Sequence, residues 1–147
     1  MAKHFHKELD KVKKMILSLG AMVEERVRLA SQALDHRQGD IARQIIESDY
    51  EIDEREVEIE EECLKIMALH QPVAIDLRFL VAVIKINNDL ERIADETVNI
   101  AERVVTMSKQ ATSRYFFDYG PMAGKVDPVE DAHQRGEANA GVLGGIG

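Results

Sequence analysis

The sequence predicts an all-α protein: an up-down-up antiparallel three-helix bundle over residues 1–110, followed by an irregular, glycine-rich tail over residues 111–147. Three observations predict it. Apolar residues recur at spacings of three and four throughout the first 110 residues, with no strand-type alternation. Glycine is confined to Gly20 and Gly39 in that stretch, whereas the last 37 residues hold the other seven. Aromatic content is only 5%, against abundant Glu, Ala, Leu and Lys, a composition typical of long helices.

The first helix is expected over about 3–36, where Phe5, Leu9, Val12, Ile16, Leu19, Val23, Val27, Ala30 and Leu34 form one stripe about 45 Å long. Gly20 inside it costs about 1 kcal/mol relative to Ala, which a stripe of this length can absorb. The segment Asp35-His36-Arg37-Gln38-Gly39-Asp40 offers a Gly stop and then an Asp N-cap, hence a tight turn between antiparallel helices. The second helix, about 41–69, carries Ile41, Ile45, Ile52, Ile59, Cys63 and Ile66, with Ser48 and Glu56 filling gaps in the row. It stops before His70-Gln71-Pro72, where Pro suits the first turn of the next helix. The third, about 73–108, carries Leu77, Val81, Ile84, Val98 and Val105 on one stripe, which continues through Asn88, Glu91 and Asp95. Short loops between three long helices give the bundle.

In the tail, Gly-Pro, Asp-Pro and Gly-Gly interrupt regular structure. Tyr115, Phe116, Phe117 and Tyr119 form one apolar knot that can fold back on the bundle, and disorder is expected beyond Gly120.

Composition narrows the function classes. The chain has 27 acidic and 19 basic side chains, a net charge of -8. Without a basic stripe, nucleic acid is not an expected partner. The single cysteine, Cys63, excludes a disulfide framework and any multi-cysteine metal site, and reads as a small core residue in a reduced, cytoplasmic protein. No run of about 18 apolar residues and no signal-type segment occurs, so membrane contact is expected only through partners.

The second helix is unusual in holding ten carboxylates between Glu47 and Glu62 against one base, Arg55. Such a run is usually a solvated face. Within it, Asp49, Asp53, Glu56 and Glu60, spaced 4, 3 and 4, follow the edge of the apolar stripe or enter it. On the third helix Glu91 and Asp95 stand where the stripe should continue between Ile84 and Val98. Carboxylates so placed need a cation, since burying an uncompensated charge is costly. Two sources are open: an ion pair with Arg92 or Arg103, or a bound metal ion. A loop centred near residue 71 sets Asp49 and Asp53 opposite about 89–93, close to Glu91 and Asp95. That meeting would make an all-oxygen site for a hard cation such as Mg²⁺, Mn²⁺ or Fe.

Other chemical templates fail. The one E-x-x-H string, Glu130 to His133, lies in the tail, whereas diiron bundles carry two on core helices. His4, His6, His36 and His70 sit at helix ends, unlike a phospho-accepting histidine in mid-helix. No P-loop or Rossmann glycine pattern occurs.

Two strings then carry a resemblance. Gln71-Pro72-Val73-Ala74-Ile75-Asp76-Leu77-Arg78, followed by Asp89-Leu90-Glu91-Arg92-Ile93-Ala94-Asp95, resembles the first repeat of the PhoU family of phosphate-transport regulators. The segment Glu47-Ser48-Asp49-Tyr50-Glu51-Ile52-Asp53 fits the same family, and the likeness covers about 5–108. Ala94 replaces a frequent Gly with another small residue. The resemblance implies two similar three-helix repeats and E/D-x-x-x-D motifs that bind metal clusters, matched here by Asp49 with Asp53 and Glu91 with Asp95. It also implies a non-catalytic cytoplasmic role, relaying the state of a phosphate-specific ABC transporter to a membrane histidine kinase and restraining the phosphate-starvation response.

The departure from the family is the missing second repeat, whose start coincides with the composition break. A frameshift or truncation after about residue 110 is the expected account of this, and a genuine single-repeat protein is its rival. Two copies would rebuild the two-repeat architecture, so a homodimer through the stripes of the first and third helices is expected. The functional alternatives are a helical metal-binding or scaffold bundle unrelated to phosphate signalling, or an inactive truncated member of the family that the two strings resemble.

Overall fold

The computed structural model describes residues 2–117, with side-chain surroundings for residues 3–110. Four helices run in order: α1 Ala2–His36, α2 Gly39–Glu47, α3 Asp49–His70 and α4 Ala74–Phe117. α2 and α3 are the two segments of one rod broken at Ser48, so the architecture is the expected all-α bundle of three rods. Residues 1–109 form one compact unit; of the second, 110–147, the described residues continue α4 to Phe117.

Two apolar clusters hold the first unit together. The larger joins Val12, Ile16, Leu19 and Val23 of α1 to Ile52, Ile59, Cys63 and Ile66 of α3 and to Leu80, Val83 and Ala94 of α4. The smaller joins Ala30 and Ala33 of α1, Ala42 and Ile45 of α2, and Ala101 and Val104 of α4. Alanines bring the helices close at this end. Gly39 reports the same closeness: a Cβ there would stand 3.1 Å from Ser108 Oγ on α4.

Several expectations need correction. The α1–α2 turn is made by Arg37 in the left-handed region (φ 52), while Gly39 is the first residue of α2. The residue before α2 is Gln38, whose side chain makes no capping bond, and Asp40 pairs instead with Arg43 at 3.1 Å. Pro72 lies in the three-residue loop before α4 rather than in its first turn; Gln71, left-handed at φ 45, terminates α3.

The stripe on α4 is one residue out of phase with the expected one. Leu80, Val83, Asn87, Ala94, Thr97, Ala101 and Val104 are buried, while Leu77 and Val81 are each 40% exposed. Glu91 and Asp95 therefore flank the core row and are exposed, as is Asn88. On α1, Val27 and Leu34 are exposed and Ala30 and Ala33 take the core positions. Residues 111–117, assigned to the irregular tail, are helical, because no Gly or Pro interrupts the chain before Gly120. Tyr119, the tail's disorder and the Glu130–His133 string fall outside the described residues.

Candidate metal centre

The site is built on the α3 row Ile52, Glu56, Ile59, Cys63 and Ile66, in which one carboxylic acid replaces an apolar side chain. Glu56 is only 6% exposed, and its Oε1 finds no hydrogen-bond partner among the described residues. Across the helix interface Asn87 is equally buried. Its Nδ2 donates to the Glu56 backbone carbonyl at 3.0 Å, and its Oδ1 is unpartnered as well. Burial, and then the charges of Glu91, Asp53, Asp95 and Asp49, push the Glu56 carboxyl up to about 8. Four carboxylates thus crowd a fifth that the fold has taken out of water.

Beside Glu56, Asp49, Asp53 and Asp95 each bring one carboxylate oxygen into a group whose members lie within 4.8 Å of one another. Asp49 is half-buried; Asp53 and Asp95 are exposed. The Asp49 carboxyl is raised by burial and by the charges of Asp53 and Asp95, and Arg26 partly offsets this. The antiparallel register expected from a loop near residue 71 does bring these elements together: the Asn87–Glu56 bond places α4 beside α3 at this level. Glu91, one turn before Asp95, is not in the close group, although its charge is the strongest acting on Glu56. Glu60, exposed further along α3, is also outside it. Among the described residues no ion pair joins Arg92 or Arg103 to Glu91 or Asp95, so these two arginines do not supply the expected compensation.

Asp49 owes its position to the break in the second rod. Arg26 of α1 reaches the break, with Nη1 donating to Ser48 Oγ and Nη2 donating to the Ser48 carbonyl oxygen at 3.4 Å. The same guanidinium lies 3.6 Å from Glu51. Ser48 ends α2 and precedes α3, which makes Asp49 the first residue of α3, where a carboxylate meets the positive end of the helix dipole. Sequence reasoning missed Arg26, Ser48 and Asn87. Arg26 had a signal: it stands three residues after Val23, inside the helical row, where a charged residue needs a partner.

The donor set decides what could bind. Three convergent carboxylate oxygens, with no imidazole or thiolate, suit a hard cation such as Mg²⁺, Mn²⁺ or Fe. The unpartnered Oε1 of Glu56 is a further oxygen donor behind them. Covalent chemistry finds less support, because Cys63 is fully buried and burial pushes its thiol up to about 11. A basic groove that the sequence did not announce runs between α1 and α3. It encloses about 470 Å³ and is lined by Lys7, Lys11, Lys14 and Arg55, with Asp10 among them.

Residues 16–104 match the family described as the PhoU domain, a span that contains every carboxylate of the group. The chain belongs to the PhoU family. Among curated relatives, the phosphate-specific transport system accessory protein PhoU homolog of Aquifex aeolicus is 38% identical over 104 residues, covering 71% of this chain and 47% of that protein. The homolog of Pseudomonas putida is 37% identical over 113 residues, 77% of this chain and 44% of that protein. Homolog 1 of Thermotoga maritima is 36% identical over 107 residues, 73% of this chain and 46% of that protein. The chain spans about half the length of the curated PhoU relatives it matches. No helix among the described residues is long and apolar enough to cross a membrane.

Proposed function

We propose that this chain is a metal-binding accessory module of phosphate transport that restrains phosphate uptake and starvation signalling by protein contact and performs no chemistry itself. Membership of a family whose curated relatives are named phosphate-specific transport system accessory proteins supports the phosphate assignment. The observation that carries the metal-binding part is the convergence of Asp49, Asp53 and Asp95 beside the buried, unpartnered Glu56. These residues hold a hard cation, with Glu91 at its margin. The cation offsets repulsion among the carboxylates and locks α3 against α4, giving partners a rigid charged surface. The partners in this reading are the cytoplasmic ATPase of a phosphate ABC transporter and a membrane histidine kinase.

Self-association belongs to the same reading, through the part of the expected stripes that the bundle leaves exposed together with neighbouring apolar side chains. The core rows of α1 and α4 are spent inside the bundle. What remains exposed is Val27 and Leu34 of the expected α1 stripe and Leu77 and Val81 of the expected α4 stripe, joined by Leu17 and Ile93. A second copy covers them and supplies the other half of a two-repeat assembly. In sedimentation equilibrium a dimer is expected at tens of micromolar; a single 16.6 kDa species rejects that part.

The functional test is genetic. A strain lacking the gene is expected to express starvation genes in phosphate-replete medium, and the 147-residue chain to restore repression. Expression identical to wild type in the deletion rejects the phosphate assignment.

A further inference from the structure

At one end of the first unit, the start of α1 meets the end of α3 through three side chains that the acidic site does not use. His4 and Glu8 stand one helical turn apart on α1, and His70 is the last residue of α3. The Glu8 carboxylate lies between the two imidazoles. Its Oε2 is 2.8 Å from His70 Nε2, and its Oε1 is 3.3 Å from His4 Nε2. Glu8 and His70 are largely withdrawn from water, with side chains 11% and 17% exposed, whereas His4 is 74% exposed. Phe5 covers one side, its ring 4.9 Å from that of His70.

We propose that His4, Glu8 and His70 form a second metal site, for a borderline transition ion of the Zn²⁺ type, distinct from the carboxylate group on α3 and α4. Two imidazoles and one carboxylate are a three-ligand set that Zn²⁺ accepts while keeping a fourth position open. Ligand atoms about 2.1 Å from a tetrahedral ion stand about 3.4 Å from one another. The two contacts to Glu8, at 2.8 Å from Oε2 to His70 and 3.3 Å from Oε1 to His4, are near that spacing for an ion that both carboxylate oxygens hold. The third edge, between the imidazoles, is open, with ring centroids 6.5 Å apart. Two imidazoles on one tetrahedral ion hold their centroids about 5 Å apart, so closure requires an approach of about 1.5 Å. His4 can make it by a side-chain rotation, because it is exposed and one turn from its carboxylate partner. Glu8 and His70 are already held by each other and by the packing around them.

Donor chemistry separates this site from the first. Imidazole nitrogen favours Zn²⁺, Co²⁺, Ni²⁺ and Cu²⁺, whereas the all-oxygen group favours Mg²⁺ or Mn²⁺. An ion here would tie the two rods together at the loop that begins with the left-handed Gln71. Binding would therefore stabilise the bundle end that Arg26 and the acidic group do not reach.

The test is Co²⁺ titration of the untagged chain, followed in the visible spectrum, with Zn²⁺ displacing Co²⁺. The wild type and the Asp53→Asn, Asp95→Asn double variant are expected to show the intense absorption of tetrahedral Co²⁺. His4→Ala and His70→Gln are expected to lose it and to bind Zn²⁺ at least tenfold more weakly. His4→Ala alters an exposed side chain, and circular dichroism checks that each variant remains folded. The proposal is overturned if the wild type gives no tetrahedral band, or if the band survives in both histidine variants. It is also overturned if only the double aspartate variant abolishes the band.

Discussion

The two faces of α3 treat their carboxylates differently. Toward α1, acids meet bases: Glu62 lies 3.7 Å from Lys11 of α1 and 3.7 Å from Lys65 one turn along its own helix, and Glu51 lies 3.6 Å from Arg26 of α1. Toward α4, Asp49, Asp53, Glu56 and Asp95 converge with no ion pair among the described residues. Both faces belong to one helix of 22 residues, so neither composition nor helix propensity accounts for the contrast. Surface pairs of the first kind stabilise a fold only slightly. A convergent group that Arg26 only partly offsets opposes the fold, and such a group makes sense where an external cation completes it.

The sharpest way to break the comparison is to remove the buried acid. In chelated protein, Glu56→Leu is expected to raise the unfolding free energy by about 2 kcal/mol, because an apolar group replaces a buried, incompletely bonded carboxyl. Urea denaturation measures this. If the variant is instead destabilised in chelator, Glu56 has a protein partner and the contrast between the faces fails. In saturating Mn²⁺ the gain is expected to shrink or reverse, since the variant lacks a donor.

A pH series sharpens the same point. The Glu56 carboxyl is raised from an ordinary 4.5 to about 8 in the folded chain. Between those values the folded state holds the proton and the unfolded chain releases it, so stability falls as pH rises through the interval. Metal-free protein is expected to lose stability between about pH 4.5 and pH 8, with a shallower loss in Glu56→Gln. Identical slopes for the two proteins would mean that Glu56 is not the group responsible.

The smallest effect belongs to the other face. A double-mutant cycle on Lys11 and Glu62 is expected to give a coupling below about 1 kcal/mol, reduced further by salt. A coupling several times larger would make the α1 face a structural charge network and would remove the contrast.

How much of this could be read from residues alone follows from what periodicity sees. The row on α1 was legible from Phe5 to Val23, where large apolar residues mark every turn, and was lost at Val27 and Leu34, where the core turns onto Ala30 and Ala33. On α4 the buried row includes Ala94, Ala101, Asn87 and Thr97, small or polar residues that carry little hydrophobic signal. Leu77 and Val81 therefore drew the reading one position away. Glu56 was visible as an acid filling a gap in the apolar row, and loop arithmetic was enough to bring Asp49 and Asp53 to the level of Asp95. The break at Ser48 was not legible, because the guanidinium that meets it comes from α1, 22 positions earlier in the chain. Nor could spacing separate Asp95, inside the close group, from Glu91, outside it; that depends on the phase of α4.

The most direct test of the central claim is metal binding by the chelator-stripped chain, measured by calorimetric titration with Mn²⁺ beside the Asp53→Asn, Asp95→Asn double variant. The wild type is expected to bind. The double variant, lacking two donors, is expected to lose more than the roughly 10–100-fold in affinity that removing an outer-shell partner costs. Equal affinity in the two proteins, or no binding by the wild type, would contradict the account and leave the carboxylates of α3 and α4 as a solvated acidic face.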